Sequence, residues 1–145
     1  MEWNERKSRS VNSPSKRWVV NCRFEPYDVY VDRPSEWQNE YSHKPDTKAK
    51  YRTRTIEEAV YRHAIDFLKD RAKVEKCRRE LQGKVLGCLC VSPDRPNAPC
   101  HAHIYARVAN ATEEELVTIY RDYGFEFNGE TWTADNINNV FIEEG

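Results

Sequence analysis

Glycine is scarce in this chain of 145 residues, and the first 82 positions contain none. The Walker phosphate loop and the G-x-G-x-x-G dinucleotide fingerprint both need glycine, because the backbone must approach phosphate closely. An N-terminal motif of either kind is therefore excluded. The five glycines of the chain are Gly83, Gly87, Gly124, Gly129 and Gly145.

Long apolar runs are also missing. No stretch approaches the roughly 20 apolar residues of a membrane span, and the N-terminus lacks the apolar core of a secretion signal. We therefore expect a cytoplasmic protein without a membrane partner. The chain has five cysteines, an odd number, and this favours reduced thiols or a metal site over a disulfide framework.

Charge is distributed unevenly along the chain. Residues 1–17 carry a net charge of +3, residues 18–110 carry +4, and residues 111–145 carry −8. A weakly basic body can attract a phosphate-bearing ligand but is too weak to favour duplex DNA. We divide the chain at these boundaries into a basic flexible tail, an α/β core domain and an acidic C-terminal appendage. The appendage is a candidate surface for a host protein.

Hydrophobic periodicity predicts an α/β core with a small sheet flanked by helices. Strands are expected at 18–22, 27–32 and 84–90, and helices at 56–69, 72–82 and from Cys100-His101 to Asn110. A parallel, Rossmann-like arrangement of the first and third strands is the expected topology. Residues 33–53 are predicted to form a long polar loop, and loops of that length are usually functional or disordered.

The appendage is predicted to begin with a helix. Thr112 and Glu115 have the spacing of a capping box, and the helix would end near Gly124. Alternating residues around Asn128-Gly129 are typical of a β-hairpin over 125–132. A short helix from Asp135 to Ile142 would complete the chain.

The densest group of chemically active residues lies in the second half of the core. Thiolate and imidazole are the ligands that zinc prefers, and four of them can complete a tetrahedral site. Zinc is accordingly the expected cofactor, if a metal is bound at all. Residues two apart on a regular strand share a face but lie about 6.6 Å apart along it, so the strand would have to end or bulge there for the first two ligands to bind one ion. The alternative is that these cysteines are small core residues. The candidate ligands are Cys88, Cys90, Cys100 and His101.

Two of these residues also have a catalytic interpretation. Cys100 and His101 lie at a predicted helix N-terminus, where free backbone N–H groups attract anions and lower the pKa of a thiol. They could bind phosphate, or act as nucleophile and acid–base pair. A Cys–His enzyme also needs an oxyanion hole and an orienting partner, which sequence adjacency does not supply.

A second group of polar residues flanks the first two strands and enters the long loop. Ligands of open α/β sheets bind beyond the carboxyl ends of the strands. Arginine recognises phosphate through two parallel hydrogen bonds, tryptophan offers a stacking face, and asparagine offers a donor and an acceptor. The alternative is an exposed loop whose polar side chains have unrelated roles. The candidate ligand-binding residues are Asn21, Arg23, Arg33, Ser35, Trp37, Asn39 and Arg54.

Four ordered blocks resemble a known family, the domain of unknown function numbered 4326, over about residues 18–110. The blocks are VVNCRFEPYDVYVDRPSEWQNE, TRTIEEAVYRHAIDFL, LQGKVLGCLC and CHAHIYARVAN. The family occurs in bacteria, archaea and viruses, often phages, so the resemblance implies a phage protein that would act in the host cytoplasm. It implies no reaction. All the candidate residues named above match the family pattern.

The chain departs from the family pattern at several positions. Asp32 and Gln38 stand where the resemblance implies glycine, Glu40 replaces proline, Leu89 replaces tryptophan and His103 replaces aspartate. If the family is enzymatic, these replacements predict a lost or altered activity in this member.

Three functions follow from these observations. The leading hypothesis is the binding of a nucleotide-like or other phosphate-bearing small molecule. The first alternative is a metal-stabilised, non-enzymatic interaction module, such as a viral protein that inhibits a host factor. The second is an enzyme acting on a nucleoside or base.

Overall fold

The computed structural model describes residues 17–44 and 49–133. The strands, in chain order, are β1 (Val19–Asn21), β2 (Val29–Tyr30), β3 (Tyr41–Ser42), β4 (Tyr51–Arg52), β5 (Leu86–Cys88), β6 (Glu126–Phe127) and β7 (Trp132–Thr133). The helices are α1 (Ile56–Lys69), α2 (Arg71–Glu80), α3 (Ala102–Asn110) and α4 (Glu113–Asp122). The predicted α/β class, with helices flanking a small sheet, is confirmed.

The central sheet is parallel, with the strand order β1-β5-β2. Val19 pairs with Leu86 and Asn21 with Cys88, so the predicted parallel pairing of the first and third strands is correct. All residues of β1 and β5 are buried. This burial on both faces explains why these segments read as continuous apolar runs rather than as alternating patterns.

Sequence-encoded caps set the helix boundaries. The Thr55 hydroxyl accepts a hydrogen bond from the Glu58 N–H at 3.0 Å, which fixes the start of α1 where it was predicted. Glu58 departs from a full capping box, because its carboxylate accepts from the Arg54 N–H instead of the Thr55 N–H. Thr112 and Glu115 form the complete capping box at the start of α4.

The core lies where α1, α2 and α3 meet the sheet. Tyr105 of α3 is fully buried and touches the rings of Trp37 and Phe67 edge to face. Ile119, Tyr120 and the following Phe125 belong to the same buried cluster. The Tyr120 hydroxyl donates to the Leu68 carbonyl at 2.9 Å, which ties α4 to α1.

Residues 33–53 contain more structure than the predicted polar loop. β3 and β4 form a parallel pair, and the Tyr41 and Tyr51 rings stack with centroids 4.9 Å apart. The Tyr41 hydroxyl donates to Asp66 of α1 at 2.7 Å. Strands of two residues are too short to produce a periodic sequence pattern, so the prediction missed this pair.

The predicted hairpin is present, with β6 antiparallel to β7. Residues 128–131 form its loop, in which Gly129 has a φ of +100° and the Asn128 N–H donates to the Thr131 carbonyl. The expected helix Asp135–Ile142 and residues 1–16 of the expected tail lie outside the described residues. Among the described helices, none is long and apolar enough to cross a membrane.

Candidate ligand cleft and cysteine cluster

A cleft of about 380 Å³ lies beyond the carboxyl ends of β2 and β5. Side chains reach it from the residues that follow these two strands, from β3, from the first turns of α1 and from the start of α3. This is the position at which open α/β sheets bind ligands. We call it the cleft, and its lining residues are Asp32, Arg33, Asn39, Tyr41, Ser42, His43, Lys44, Ile56, Ala59, Val60, Leu89, Cys90 and His101.

The polar part of the cleft is held in place by hydrogen bonds to the backbone. Arg33 donates from Nη1 to the Asn39 carbonyl at 2.6 Å, which fixes the guanidinium at the cleft. The Asp32 carboxylate accepts from the N–H groups of Arg33 and Leu89, at 2.8 and 3.0 Å. Asp32 therefore joins the segment after β2 to the segment after β5.

The cleft also has an apolar part. Ile56, Ala59 and Val60 of α1 line it together with Leu89, whose side chain is 43% exposed. Exposed leucine beside the half-buried Ile56 and Val60 gives a ligand apolar surface to cover. The cleft thus combines cationic side chains with an apolar wall.

Three cysteine sulfurs meet beside the cleft. The Sγ atoms of Cys88, Cys90 and Cys100 all lie within 4.8 Å of one another, and those of Cys88 and Cys100 are 3.1 Å apart. We call these three residues the cysteine cluster. It could hold a metal ion, because three thiolates supply most of a tetrahedral zinc site.

The local backbone explains how neighbouring cysteines converge. β5 ends at Cys88, and Leu89 and Cys90 lie in the bend that follows, so the residue spacing of a regular strand no longer applies. Cys100 lies two residues before the start of α3 and its sulfur accepts from the Ala102 N–H at 3.4 Å. The strand therefore ends where two ligands spaced C-x-C require it to end.

Hydrogen bonds within the cysteine cluster shift the pKa values of its thiols in opposite directions. Those from the Cys100 and Cys90 thiols lower the pKa of Cys88, and backbone N–H groups of Cys90 and Val91 add to the effect. The hydrogen bond to Cys88 in turn raises the pKa of Cys100. The cluster thus stabilises a buried thiolate at Cys88, the form that binds metals.

His101 lies between the cysteine cluster and the cleft. Its side chain is only 3% exposed, and Nε2 lies 2.7 Å from the Val31 carbonyl. Nδ1 lies 3.9 Å from the Cys100 sulfur. Burial lowers the pKa of His101, so its imidazole is held neutral.

The family model described as Domain of unknown function (DUF4326) matches residues 15–111. The chain belongs to this family. The matched DUF4326 segment contains the whole cleft lining and the whole cysteine cluster. No curated protein and no solved structure is significantly similar to the chain.

The DUF4326 fold separates the predicted ligand-binding residues into two groups. Arg33 and Asn39 line the cleft. The other predicted residues do not line it, and the exposed Arg23 and Arg54 are among them. The remaining members of that second group are Asn21, Ser35 and Trp37.

The three non-cleft residues of low exposure have contacts inside the protein. The Asn21 amide donates to the Val91 carbonyl at 2.9 Å and accepts from the Arg23 N–H at 2.8 Å. The Ser35 hydroxyl accepts from the Trp37 N–H at 3.2 Å. Trp37 is only 3% exposed and packs in the core. Its position among polar residues in the sequence suggested a stacking face instead.

The predicted catalytic pair occupies two different environments. Cys100 is fully buried and does not line the cleft, whereas His101 does. The thiol that reaches the cleft is that of Cys90. A cleft ligand would therefore meet the Cys90 sulfur and the His101 ring rather than the Cys100 sulfur.

His43 and Lys44 are among the cleft residues that sequence reasoning missed. Both follow β3, and the pairing of β3 with β4 and α1 brings them to the cleft. It also missed the contact of His63 with Tyr105, whose hydroxyl lies 2.8 Å from His63 Nε2. Only a prediction of β3 itself could have placed His43 and Lys44 at the cleft.

Proposed function

We propose that this DUF4326 domain binds a phosphate-bearing, nucleotide-like small molecule in the cleft. The observation that carries the proposal is the convergence of Arg33, His43 and Lys44 on one cleft at the carboxyl edge of a parallel sheet. Arginine and lysine attract phosphate, and arginine adds two parallel hydrogen bonds. Asp32 opposes them with one carboxylate, which is occupied by two backbone N–H groups.

The apolar wall extends the proposal from phosphate to nucleotide. A volume of about 380 Å³ falls in the range of small-molecule sites, which are mostly apolar with a few oriented polar groups. The Leu89 and Val60 side chains offer a surface for a base or sugar, while the cations take the phosphate. Inorganic phosphate alone would leave that wall uncovered.

Titration calorimetry with AMP, adenosine and inorganic phosphate tests this proposal. We expect AMP to bind more tightly than either fragment. Arg33→Gln should weaken AMP binding by about tenfold or more, because it removes charge-assisted hydrogen bonds. Lys44→Gln should weaken it less, since a single exposed charge contributes less.

Arg23→Gln is the matched control, because Arg23 is an exposed arginine that does not line the cleft. Its affinity for AMP should equal that of the unmodified protein. A thermal-shift screen of nucleotides supplies a second readout, since saturating ligand stabilises the folded state. The absence of any response to nucleotides or phosphate in both assays would refute the proposal.

A second candidate function is that of a metal-stabilised, non-enzymatic module, with zinc as the metal. The cysteine cluster favours it, because its three sulfurs converge. They lie close to the segment after β5, which Asp32 ties to the segment after β2 through the Leu89 N–H. A structural zinc contributes directly to folding stability. Under this proposal the ion would link the end of β5 to the start of α3.

Elemental analysis of anaerobically purified protein tests the metal. We expect one zinc per chain in the unmodified protein and a loss of thermal stability on chelation. Cys88→Ser should lose the zinc, whereas Cys22→Ser should keep it, since Cys22 lies outside the cysteine cluster. Metal-free protein that gains neither zinc nor stability on reconstitution would count decisively against this candidate.

A further inference from the structure

We infer that His101 is the fourth ligand of a metal ion held by the cysteine cluster, bound through Nδ1. This inference rests on the second candidate function, the zinc site, and adds the ligand that completes it. A structural zinc site is almost always four-coordinate and tetrahedral. Three sulfurs therefore leave one position to fill.

The hydrogen bond to Val31 selects the nitrogen of His101 that can bind. The Val31 carbonyl can only accept, so Nε2, at 2.7 Å, carries the proton and donates it. Nδ1 is then the unprotonated nitrogen, and its lone pair is available. Metal-binding histidines almost always donate their other ring N–H to a carbonyl, a carboxylate or water in this way.

The distances place Nδ1 at the edge of the cysteine cluster. In a tetrahedral site with zinc–sulfur bonds of about 2.3 Å and zinc–nitrogen bonds of about 2.0–2.1 Å, sulfur and nitrogen lie about 3.6 Å apart. Nδ1 lies 3.9 Å from the Cys100 sulfur. Among the described residues, the ligand atoms that all lie within 4.8 Å of one another are the three sulfurs, and Nδ1 is outside this group. Nδ1 therefore has to move toward the sulfurs when the ion binds.

The sulfurs also have to move by a small amount. Two thiolates on one zinc lie about 3.8 Å apart, given the same bond length. The Cys88 and Cys100 sulfurs, at 3.1 Å, would separate by less than about 1 Å to admit the ion.

The carboxylate that lines the cleft is already occupied. Asp32 lines the cleft near Cys90, but its two carboxylate oxygens accept from separate backbone N–H groups, those of Arg33 and Leu89. Ligation by Asp32 would break the link between the segments that follow β2 and β5. Ligation by His101 leaves its hydrogen bond to Val31 intact.

Cadmium-113 bound to ¹⁵N-labelled, unmodified protein gives the direct test, because no substitution can disturb the fold. We expect one cadmium per chain, a ¹¹³Cd chemical shift typical of three thiolates, and scalar coupling between the cadmium and Nδ1 of His101. The Nε2 proton of His101 should remain visible and bonded. Cadmium bound by the thiolates without coupling to Nδ1 would overturn the inference and leave the zinc proposal standing.

Cobalt(II) titration of variants gives an independent readout. His101→Ala should weaken cobalt binding by at least about tenfold and alter the d–d absorption bands, while the sulfur-to-cobalt bands remain. His103→Ala is the matched control, since His103 lies two residues on and its Nε2 is bonded to the Ala98 carbonyl instead. Identical cobalt spectra for both variants would overturn the inference. Failure of the unmodified protein to bind either metal would overturn the zinc proposal as well.

Discussion

The ring of Tyr27 lies directly against the α-carbon of Gly87 in the central strand. A Cβ atom at position 87 would come 2.7 Å from Tyr27 Cγ and 2.9 Å from Cδ2. Real Cβ atoms essentially never approach so closely. Glycine is required at this position by the approach of a ring rather than by its own backbone conformation.

We therefore expect Gly87→Ala to lower the free energy of unfolding by about 1–3 kcal/mol, the usual cost of overpacking. Urea denaturation measures this loss. In a Tyr27→Ala background the same substitution should be neutral or stabilising, because alanine then only reduces the flexibility of the unfolded chain. An equal loss in both backgrounds would show that Tyr27 is not the cause.

Metal and ligand binding should be coupled through the wall of the cleft. Cys90 and His101 line the cleft, and a bound ion would fix both side chains. We expect zinc-loaded protein to bind AMP about tenfold more tightly than metal-free protein, measured by calorimetry. By reciprocity AMP should tighten zinc binding by the same factor. Equal AMP affinities with and without zinc would contradict the coupling.

Glu58 should make stability depend on pH in the acidic range. Burial of Glu58 raises its pKa, but hydrogen bonds from Arg62 Nε and the Arg54 N–H outweigh this, so its pKa lies below the usual value. A lowered pKa in the folded state adds stability above the unfolded pKa of about 4.3, and that stability disappears as the pH falls through the folded value.

Glu58→Gln should therefore be less stable than the unmodified protein at neutral pH by about 1–3 kcal/mol. The gap should narrow as the pH falls below about 4.3 and close below the folded-state pKa, where Glu58 is protonated in both states. Urea titrations across this range check the prediction. Glu57→Gln, in the same helical turn, controls for the loss of a charge near the helix N-terminus. A gap that is constant with pH would exclude the carboxylate of Glu58 as its source.

Substitutions at Trp37 and Leu89 should affect stability and ligand binding separately. Trp37→Phe should lower the free energy of unfolding by about 1–3 kcal/mol, because the indole is buried against Tyr105, and leave AMP affinity unchanged. Leu89→Ala should weaken AMP binding and leave the free energy of unfolding unchanged, because Leu89 is exposed in the cleft. Loss of AMP affinity in the folded Trp37→Phe variant would show that Trp37 stacks on the ligand, as the sequence suggested.

Local rules account for the elements that the sequence predicted well. The Thr55 cap and the apolar period of α1 are encoded within one stretch of chain, and so is the apolar run that forms β1. The converging cysteines were predictable from residue type and spacing, although the bend after Cys88 that allows convergence was not.

The remaining features depend on contacts between distant residues. Trp37 is surrounded by polar residues in the sequence, and only its contact with Tyr105 of α3 shows that it belongs to the core. His43 and Lys44 reach the cleft through a two-residue strand that leaves no periodic pattern. Tertiary packing decides such positions, and local sequence cannot reveal it.

The strand order also determines when the central sheet can assemble. β1 and β2 do not pair with each other, and in the described part of the chain each forms its ladder with β5. β5 is the last of the three in sequence, so a growing polypeptide presents both edge strands well before their shared partner is synthesised. Closing the long intervening segment costs chain entropy before any ladder hydrogen bond is gained. Until Cys88 has left the ribosome, Val19–Asn21 cannot form the ladder that it makes with β5.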